Sequence, residues 1–367
     1  MAISLIKTIL IPCQFLNRMI WKIIEKHPDL IFIDKQINEI TCDINPLLED
    51  EADIQFINFK KENFQFNNGY NKVHFVKFNA FIKDVYVDPN FFILIKKRNI
   101  LIKESIAFDW YRTSYKTYVY NVLLRQYEKI EEAVLFDAKV GLNVFHFYND
   151  ILPKLMLVKA FSLKTPFLIS EELFNSKLFQ YHLQFDRVKN INWKIVSKNV
   201  YLYVKNLQLI KTSEYDFKIL KLIADDILQK FDTKKFKKIK LFINRKESTG
   251  RTITNFKELI PLLDKHNYIV LYLEDISIEQ QIEYFSRASV IIGIHGAGLT
   301  NMIFSYRNNP KILEITASDF IPTHYYWLAN SFGFNYQLFL GGILKVVNHK
   351  SNFDVDIIRL GNIISSF

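Results

Sequence analysis

A chain of 367 residues that is 49% hydrophobic and 23% charged, with 10 Gly and 9 Pro, has the material for packed cores and lacks the composition of a disordered or collagenous protein. The length points to two domains, and two cysteines, Cys13 and Cys42, exclude a disulfide framework or a clustered zinc site and fit a reducing compartment. A formal net charge of +10 points to an anionic ligand or surface without choosing among nucleic acid, lipid headgroups and a nucleotide diphosphate.

The N-terminal stretch MAISLIKTILIPCQFLNRMIWKII is apolar but interrupted by Lys7, Gln14, Asn17, Arg18 and Lys22, so no run of about 18 apolar residues survives. No small-residue cleavage site follows a charged n-region, and the sequence does not read as secreted. The stretch reads either as an amphipathic helix lying on a membrane or as an internally packed segment. No fixed-period repeat is present. From Glu131 the pattern alternates. Ala133–Phe136 reads as a strand, the stretch around Leu152–Phe161 as a helix and Pro166–Ile169 as a strand, followed by helix Glu171–Phe179 and the strand-rich Trp193–Ile210. Such alternation predicts a parallel sheet.

Residues Tyr215–Phe231 read as helical, and the lysine-rich DTKKFKKIK leads into strand Ile239–Ile243. Helix Asn255–His266, capped by Thr254 or Asn255, and strand Tyr268–Leu273 follow. Ser277-Ile278-Glu279-Gln280 is a capping box opening helix Ile278–Ser286, and Val290–Ile294 is a fully apolar strand of the buried parallel kind. Strand Lys311–Ile315, helix Thr323–Phe332, strand Tyr336–Leu340 and a tail helix within Asp354–Ile364 complete the reading. The expected organisation is an N-terminal domain over 1–214 and a second α/β domain over 215–342. The tail over 343–367 is left free to pack back on the N-terminal half.

The chemistry concentrates in two places. In Val290-Ile291-Ile292-Gly293-Ile294-His295-Gly296-Ala297-Gly298-Leu299-Thr300-Asn301 a buried strand runs into a Gly-rich turn and a helix start. Such an edge offers free N–H groups and a partial positive charge to a phosphate. Its G-x-x-G-x-G order differs from the dinucleotide fingerprint G-x-G-x-x-G, which argues against a nicotinamide enzyme such as an epimerase or dehydrogenase. His295 can donate to a phosphate oxygen. Arg245 and Arg251 follow an earlier strand of the same half and suit a diphosphate, because guanidinium groups chelate paired oxygens. Glu314, at its strand end, is a candidate for ribose hydroxyls or a structural cap. In the first half, Asn143-Val144-Phe145-His146-Phe147-Tyr148-Asn149-Asp150 places His146 and Asp150 one helical turn apart, and either could serve as the single general base of an inverting glycosyl transfer.

Taken together, the stretch from His146 to Pro153, Arg245, Arg251, Asn255, Gln280 and the HGAGLTN segment resemble glycosyltransferase family 61, particularly its bacterial members. That family includes plant β-1,2-xylosyltransferases and animal enzymes adding N-acetylglucosamine to proteins. The resemblance covers roughly residues 136–341. It implies a GT-B fold of two Rossmann-like domains facing across a cleft, inverting chemistry, a UDP-sugar donor and no metal. Asp150 stands where the family often has glutamate and is taken as the base, with His146 orienting it or binding the donor. Arg245, Arg251, Asn255, His295, Gly296, Ala297, Gly298, Asn301 and Glu314 form the expected substrate-binding set. Phe147 and Phe256 depart from the family's His-Trp and Asn-Glu pairs, which leaves the transferred sugar and the acceptor open.

The single Asp-x-Asp, Asp354-Val355-Asp356, lies in the tail and reads as a helix cap rather than a metal site. No cofactor is expected. The expected partners are the UDP-sugar and a glycan or lipid-linked oligosaccharide acceptor, with no nucleic acid, in the cytoplasm or peripherally at the inner membrane. The class suggests capsule or lipopolysaccharide synthesis. The alternative is a non-catalytic nucleotide- or polyanion-binding protein using its basic surface and Tyr115, Tyr118 and Tyr120, although no recognisable nucleic-acid motif accompanies them.

Overall fold

The computed structural model describes residues 38–39, 78–96, 100–102, 105, 127–158, 164–198, 200–212, 214–231, 237–247, 250–318, 321–343 and 352–367. The N-terminal amphipathic stretch and Tyr115, Tyr118 and Tyr120 lie outside these residues. The chain divides into two compact units, with the change of unit between Thr212 and Ser213.

In the first unit the strands are β1 (Asn38–Glu39), β2 (Phe78–Val87), β3 (Leu94–Lys96), β4 (Ile100–Ile102), β5 (Tyr127–Leu135), β6 (Phe167–Ser170), β7 (Trp193–Val196) and β8 (Tyr201–Lys211). They form one sheet in the order β4-β3-β2-β8-β5-β6-β7, with β1 beside β2. The strands β8, β5, β6 and β7 run parallel, whereas β1, β3 and β4 extend the sheet from antiparallel β2. Read from β7, the parallel part is ordered third, second, first, fourth in chain order, so the winding reverses between β5 and β8. That reversal opens a crevice beyond the strand carboxyl ends. The core here joins Val85, Val87, Leu94, Ala133, Leu135, Leu168, Val204 and Leu207.

The expected helix Glu171–Phe179 is two helices, Glu171–Phe174 and Lys177–His182. Ser176 restarts the backbone because its side-chain oxygen accepts the Phe179 N–H at 3.1 Å, the bond of a helix N-cap. The chain near Leu152 turns helical earlier than expected, from Val144, because Asn143 caps the Phe145 N–H at 2.9 Å.

The second unit holds β9 (Ile239–Asn244), β10 (Tyr268–Tyr272), β11 (Ala288–Ile294), β12 (Lys311–Ala317), β13 (Asn335–Ile343) and β14 (Phe353–Asp354). The order β10-β9-β11-β12-β13 is parallel throughout, with β14 antiparallel on β13. In chain order this is 2-1-3-4-5, the doubly wound arrangement whose switch point lies between β9 and β11. Strands buried on both faces need apolar side chains on both, which is why Leu241-Phe242-Ile243 and Val290-Ile291-Ile292 read as continuous apolar runs. The capping box at Ser277 and Gln280 forms as expected and opens helix Ile278–Arg287.

The tail belongs to this second unit. Phe353 pairs with Ile343 through β14, and helix Ile357–Ser366 sends Leu360 and Ile364 into the same core as Leu259 and Leu263, so apolar burial holds it in this unit. Asp356 caps that helix, its Oδ1 accepting the Arg359 N–H at 3.0 Å, as the cap reading of the Asp-x-Asp expected. Among the described residues no helix is long and apolar enough to cross a membrane.

Candidate functional site

Each unit carries its candidate residues on the chain that follows a strand at its switch point. In the second unit β9 delivers Arg245 and β11 delivers His295, the strands on either side of the reversal. Arg245 Nη1 donates to the His295 carbonyl at 3.4 Å and its Nε donates to the Gly250 carbonyl at 3.2 Å. The guanidinium lies against Gly296, where a Cβ would come within 2.0 Å of Nη1. Gly296 has an extended φ of 168°, which any residue adopts, so its value is the space it leaves for Arg245. The sequence reading assigned that space to a ligand; an arginine of the same site fills it.

Arg251 stands in the left-handed region at φ 59°, a conformation that costs a non-glycine residue roughly 1–2 kcal/mol. Its Nε is buried without a hydrogen-bond partner among the described residues. Burial is the main influence holding both guanidiniums below the usual arginine range, and for Arg251 the neighbouring positive charge of Arg245 adds to it. Among the described residues neither guanidinium forms an ion pair with a carboxylate. Glu274 acts on Arg245 and Glu314 on Arg251 only through longer-range charge, and two neighbouring, half-buried cations without a direct ion pair among the described residues favour an anion brought from outside.

The turn after His295 leads into the expected helix, which takes the 3₁₀ form over Ala297–Asn308. Twelve residues of 3₁₀ is long for this tighter coil. Leu299 N–H is taken by the Gly296 carbonyl at 3.0 Å, while the first N–H groups of any helix lack partners within it and face the edge. Ala297 and Gly298 are half-buried at that edge, and a Cβ on Gly298 would meet Leu273 at 2.4 Å.

His295 is buried, 5% exposed. Its Nδ1 is hydrogen-bonded to Glu314 Oε1, and Tyr336 OH donates to Glu314 Oε2 at 2.5 Å. Glu314 has no exposed surface, so the carboxylate expected at ribose hydroxyls or a cap is instead engaged on both oxygens inside the fold. Strand register explains this, since Glu314 pairs with Gly293, two residues before His295, and side chains two apart share a face. Tyr325 packs its ring 5.2 Å from the His295 ring, and burial followed by the Glu314 charge pushes its phenol far up.

Two other members of the expected binding set are engaged in holding the fold. Asn255 opens helix Phe256–Lys265, but its amide caps nothing there: Nδ2 donates to the Val355 carbonyl at 2.9 Å and Oδ1 accepts the Val355 N–H at 3.0 Å. Asn301 Nδ2 donates to Gln281 Oε1 at 3.0 Å, tying the 3₁₀ helix to the capping-box helix.

In the first unit His146 and Asp150 follow β5. Helix Val144–His146 widens at once into a π-helix over Phe147–Ile151, a local form frequent at functional sites. His146 Nδ1 and Asp150 Oδ2 are 2.6 Å apart, with both side chains 22% exposed. Thr212, just past β8 on the other side of the reversal, donates to the carbonyls of Asn149 and Asp150 at 3.1 and 3.2 Å and holds this turn in place. Sequence reasoning missed Lys154. It is buried, donates to the Phe136 carbonyl at 2.6 Å, and is lowered to about 8, chiefly by burial and against the pull of Asp137. Its four-residue spacing from Asp150 was the available signal. Asp137 accepts from Ala138 N, Lys139 N and Ser170 N, which fixes the end of β5.

The fold and these edges define an α/β protein with two parallel-rich sheets, each presenting polar groups beyond the carboxyl ends at its switch point. Residues 144–312 match the family model described as Glycosyltransferase 61, and this stretch of the chain belongs to that family. Membership implies an enzyme transferring a sugar from a donor to a glycan acceptor. Among curated proteins no match to the chain is found. The matched stretch contains His146, Asp150, Arg245, Arg251 and the His295 turn. Among the described residues no group of three or more His, Cys, Asp or Glu stands together as a metal site.

Proposed function

We propose that the chain is an inverting, metal-independent glycosyltransferase of the GT-B class that uses a UDP-sugar, with donor binding assigned to the second unit and acceptor activation to the first. The observation carrying this reading is the pair Arg245 and Arg251: two half-buried guanidiniums beside a Gly-rich turn at a switch point, with no carboxylate paired to either among the described residues. A diphosphate supplies the directly paired anion that both lack. It also gains charge as it leaves, so fixed cations stabilise the transition state more than the ground state.

Asp150 takes the proton of the acceptor hydroxyl as its oxygen bonds to the anomeric carbon, and the bond from that carbon to the diphosphate oxygen breaks on the opposite face. His146 holds Asp150 Oδ2 and leaves Oδ1 for the incoming proton. The predicted setting is the cytoplasmic face of a bacterial inner membrane, with a surface-polysaccharide intermediate as acceptor; the basic charge of +10 suits such an anionic surface. The test is transfer from UDP-sugars by Arg245→Ala and Arg251→Ala. Each is expected to lose at least about a hundredfold in kcat/KM while melting like the wild type. Full activity in both variants would remove the donor site.

A further inference from the structure

Beyond β10 the chain makes one 3₁₀ turn, Leu273–Asp275, before the capping-box helix. Tyr272 closes β10 in register with Asn244 at the end of β9, so this turn stands beside the loop that carries Arg245. Contacts within the second unit fix it there. Asn244 Nδ2 donates to Tyr272 OH at 2.9 Å, while Asn244 Oδ1 accepts the Arg245 N–H at 2.9 Å. Gln281 Nε2 donates to the Leu273 carbonyl at 2.9 Å. The Leu273 side chain fills the space that a Cβ on Gly298 would need, which brings the turn against the Gly-rich loop itself.

The turn carries two carboxylates with different surroundings. Asp275 Oδ1 is bonded to Lys246. Glu274 is exposed and forms no hydrogen bond or ion pair among the described residues, yet its charge reaches both Arg245 and Lys246. A carboxylate beside cations that are to hold a diphosphate repels that ligand, unless the ligand also brings donors for it. Hydroxyls on neighbouring carbons are such donors, because an ionised carboxylate has two oxygens that accept and a vicinal diol has two O–H groups to give. The place in the fold agrees. In doubly wound sheets that bind dinucleotides, an acidic residue about 20 residues past the first phosphate turn reads the ribose hydroxyls. Here β9 is the first strand of its sheet in chain order and β10, which ends just before Glu274, is the second and lies beside it. We infer that Glu274 binds a vicinal diol of the donor, the part that the sequence had offered to Glu314, whose buried carboxylate is engaged on both oxygens.

This role rests on the reading of the neighbouring loops as a donor site, and the two fail on different outcomes. In the full chain, inorganic pyrophosphate, UDP, 2′-deoxy-UDP and UDP-glucose would be titrated by calorimetry into the wild type, Glu274→Ala and Asp275→Asn, with thermal melts to check the fold of each. UDP is expected to bind Glu274→Ala about tenfold more weakly than the wild type, as when hydrogen bonds to a charged group are lost. Pyrophosphate should bind that variant as tightly as before or more so, since a repelling charge has gone and no hydroxyl was involved. The wild type should disfavour 2′-deoxy-UDP by a similar factor, and Glu274→Ala should no longer tell it from UDP. Asp275→Asn removes an equal charge one residue on and should keep the wild-type preference for UDP. If UDP is unaffected and only UDP-glucose weakens in Glu274→Ala, the diol is that of the transferred sugar rather than the ribose. UDP and UDP-glucose binding Glu274→Ala as well as the wild type, or better, would overturn the inference and leave the donor site standing. Failure of the wild type to bind pyrophosphate, UDP or UDP-glucose would remove the donor site, and the role of Glu274 with it.

Discussion

Replacing Gly296 with Ala separates stability from function more sharply than any other single change at this edge. The new Cβ would lie 2.0 Å from Arg245 Nη1 and 3.3 Å from Cζ. Contacts under about 3.0 Å do not persist, so the guanidinium must retreat by about 1 Å. The backbone does not object, since φ is 168° and extended, and the displaced atom is the end of a flexible side chain. The stability cost is therefore small, under about 1 kcal/mol, or a shift of a few degrees in Tm. The functional cost is not small. Displacement breaks the bonds of Arg245 to the carbonyls of His295 and Gly250, and an error of this size in a charge-stabilising group costs on the order of a hundredfold in rate. Paired thermal melts and transfer kinetics with a UDP-sugar would read both quantities on one preparation. A transfer rate equal to the wild type would show that the position of Arg245 does not matter, and a Tm lowered by ten degrees or more would show that Gly296 serves the fold.

Gly341→Ala should behave in the opposite way. Its Cβ would meet Phe353 at 2.2 Å and the Asp354 carbonyl at 2.7 Å, and since Phe353 is fully buried the strand must move. Urea titration should show a loss of roughly 1–3 kcal/mol with nucleotide affinity unchanged at saturating fold. Asp150→Asn should retain donor binding and lose turnover, because only acceptor deprotonation is removed; loss of donor affinity instead would move Asp150 into the donor site. His182 is buried and lowered to about 4 by desolvation, with Nδ1 toward the Leu178 carbonyl. The unfolded chain takes up that proton near 6.5 and the folded one does not, so stability falls as pH drops from about 6.5 to about 4, by roughly 3 kcal/mol for this group. His182→Gln should flatten that limb in acid-unfolding curves relative to the wild type, and parallel curves would contradict the assignment.

The second sheet was legible because parallel strands buried on both faces leave continuous apolar runs, and the capping box at Ser277 marks its helix by side-chain chemistry alone. The antiparallel strands β2 to β4 were not anticipated, since residues before Glu131 gave no clear period to anchor them. The His146 and Asp150 pair could be read because both lie on one helical turn. Glu314 was placed near the site but given the wrong neighbour. Its bond to His295 spans 19 residues and depends on the register of β11 on β12, which no local pattern encodes. Asn255 and Asn301 were read as ligand-binding for the same reason. Their amides bond Val355 and Gln281, partners set by tertiary packing.

The most direct measurement is a thermal-shift series of UDP-, GDP- and CMP-sugars on the wild type and on Arg245→Ala. At a hundred times Kd a ligand that binds only the folded chain adds about 2.7 kcal/mol, well within reach of a melt. UDP-sugars are expected to raise the wild-type Tm by several degrees and to leave Arg245→Ala unmoved. Stabilisation by none of them, or the same rise in both proteins, would contradict a diphosphate held by Arg245, Arg251 and the His295 turn.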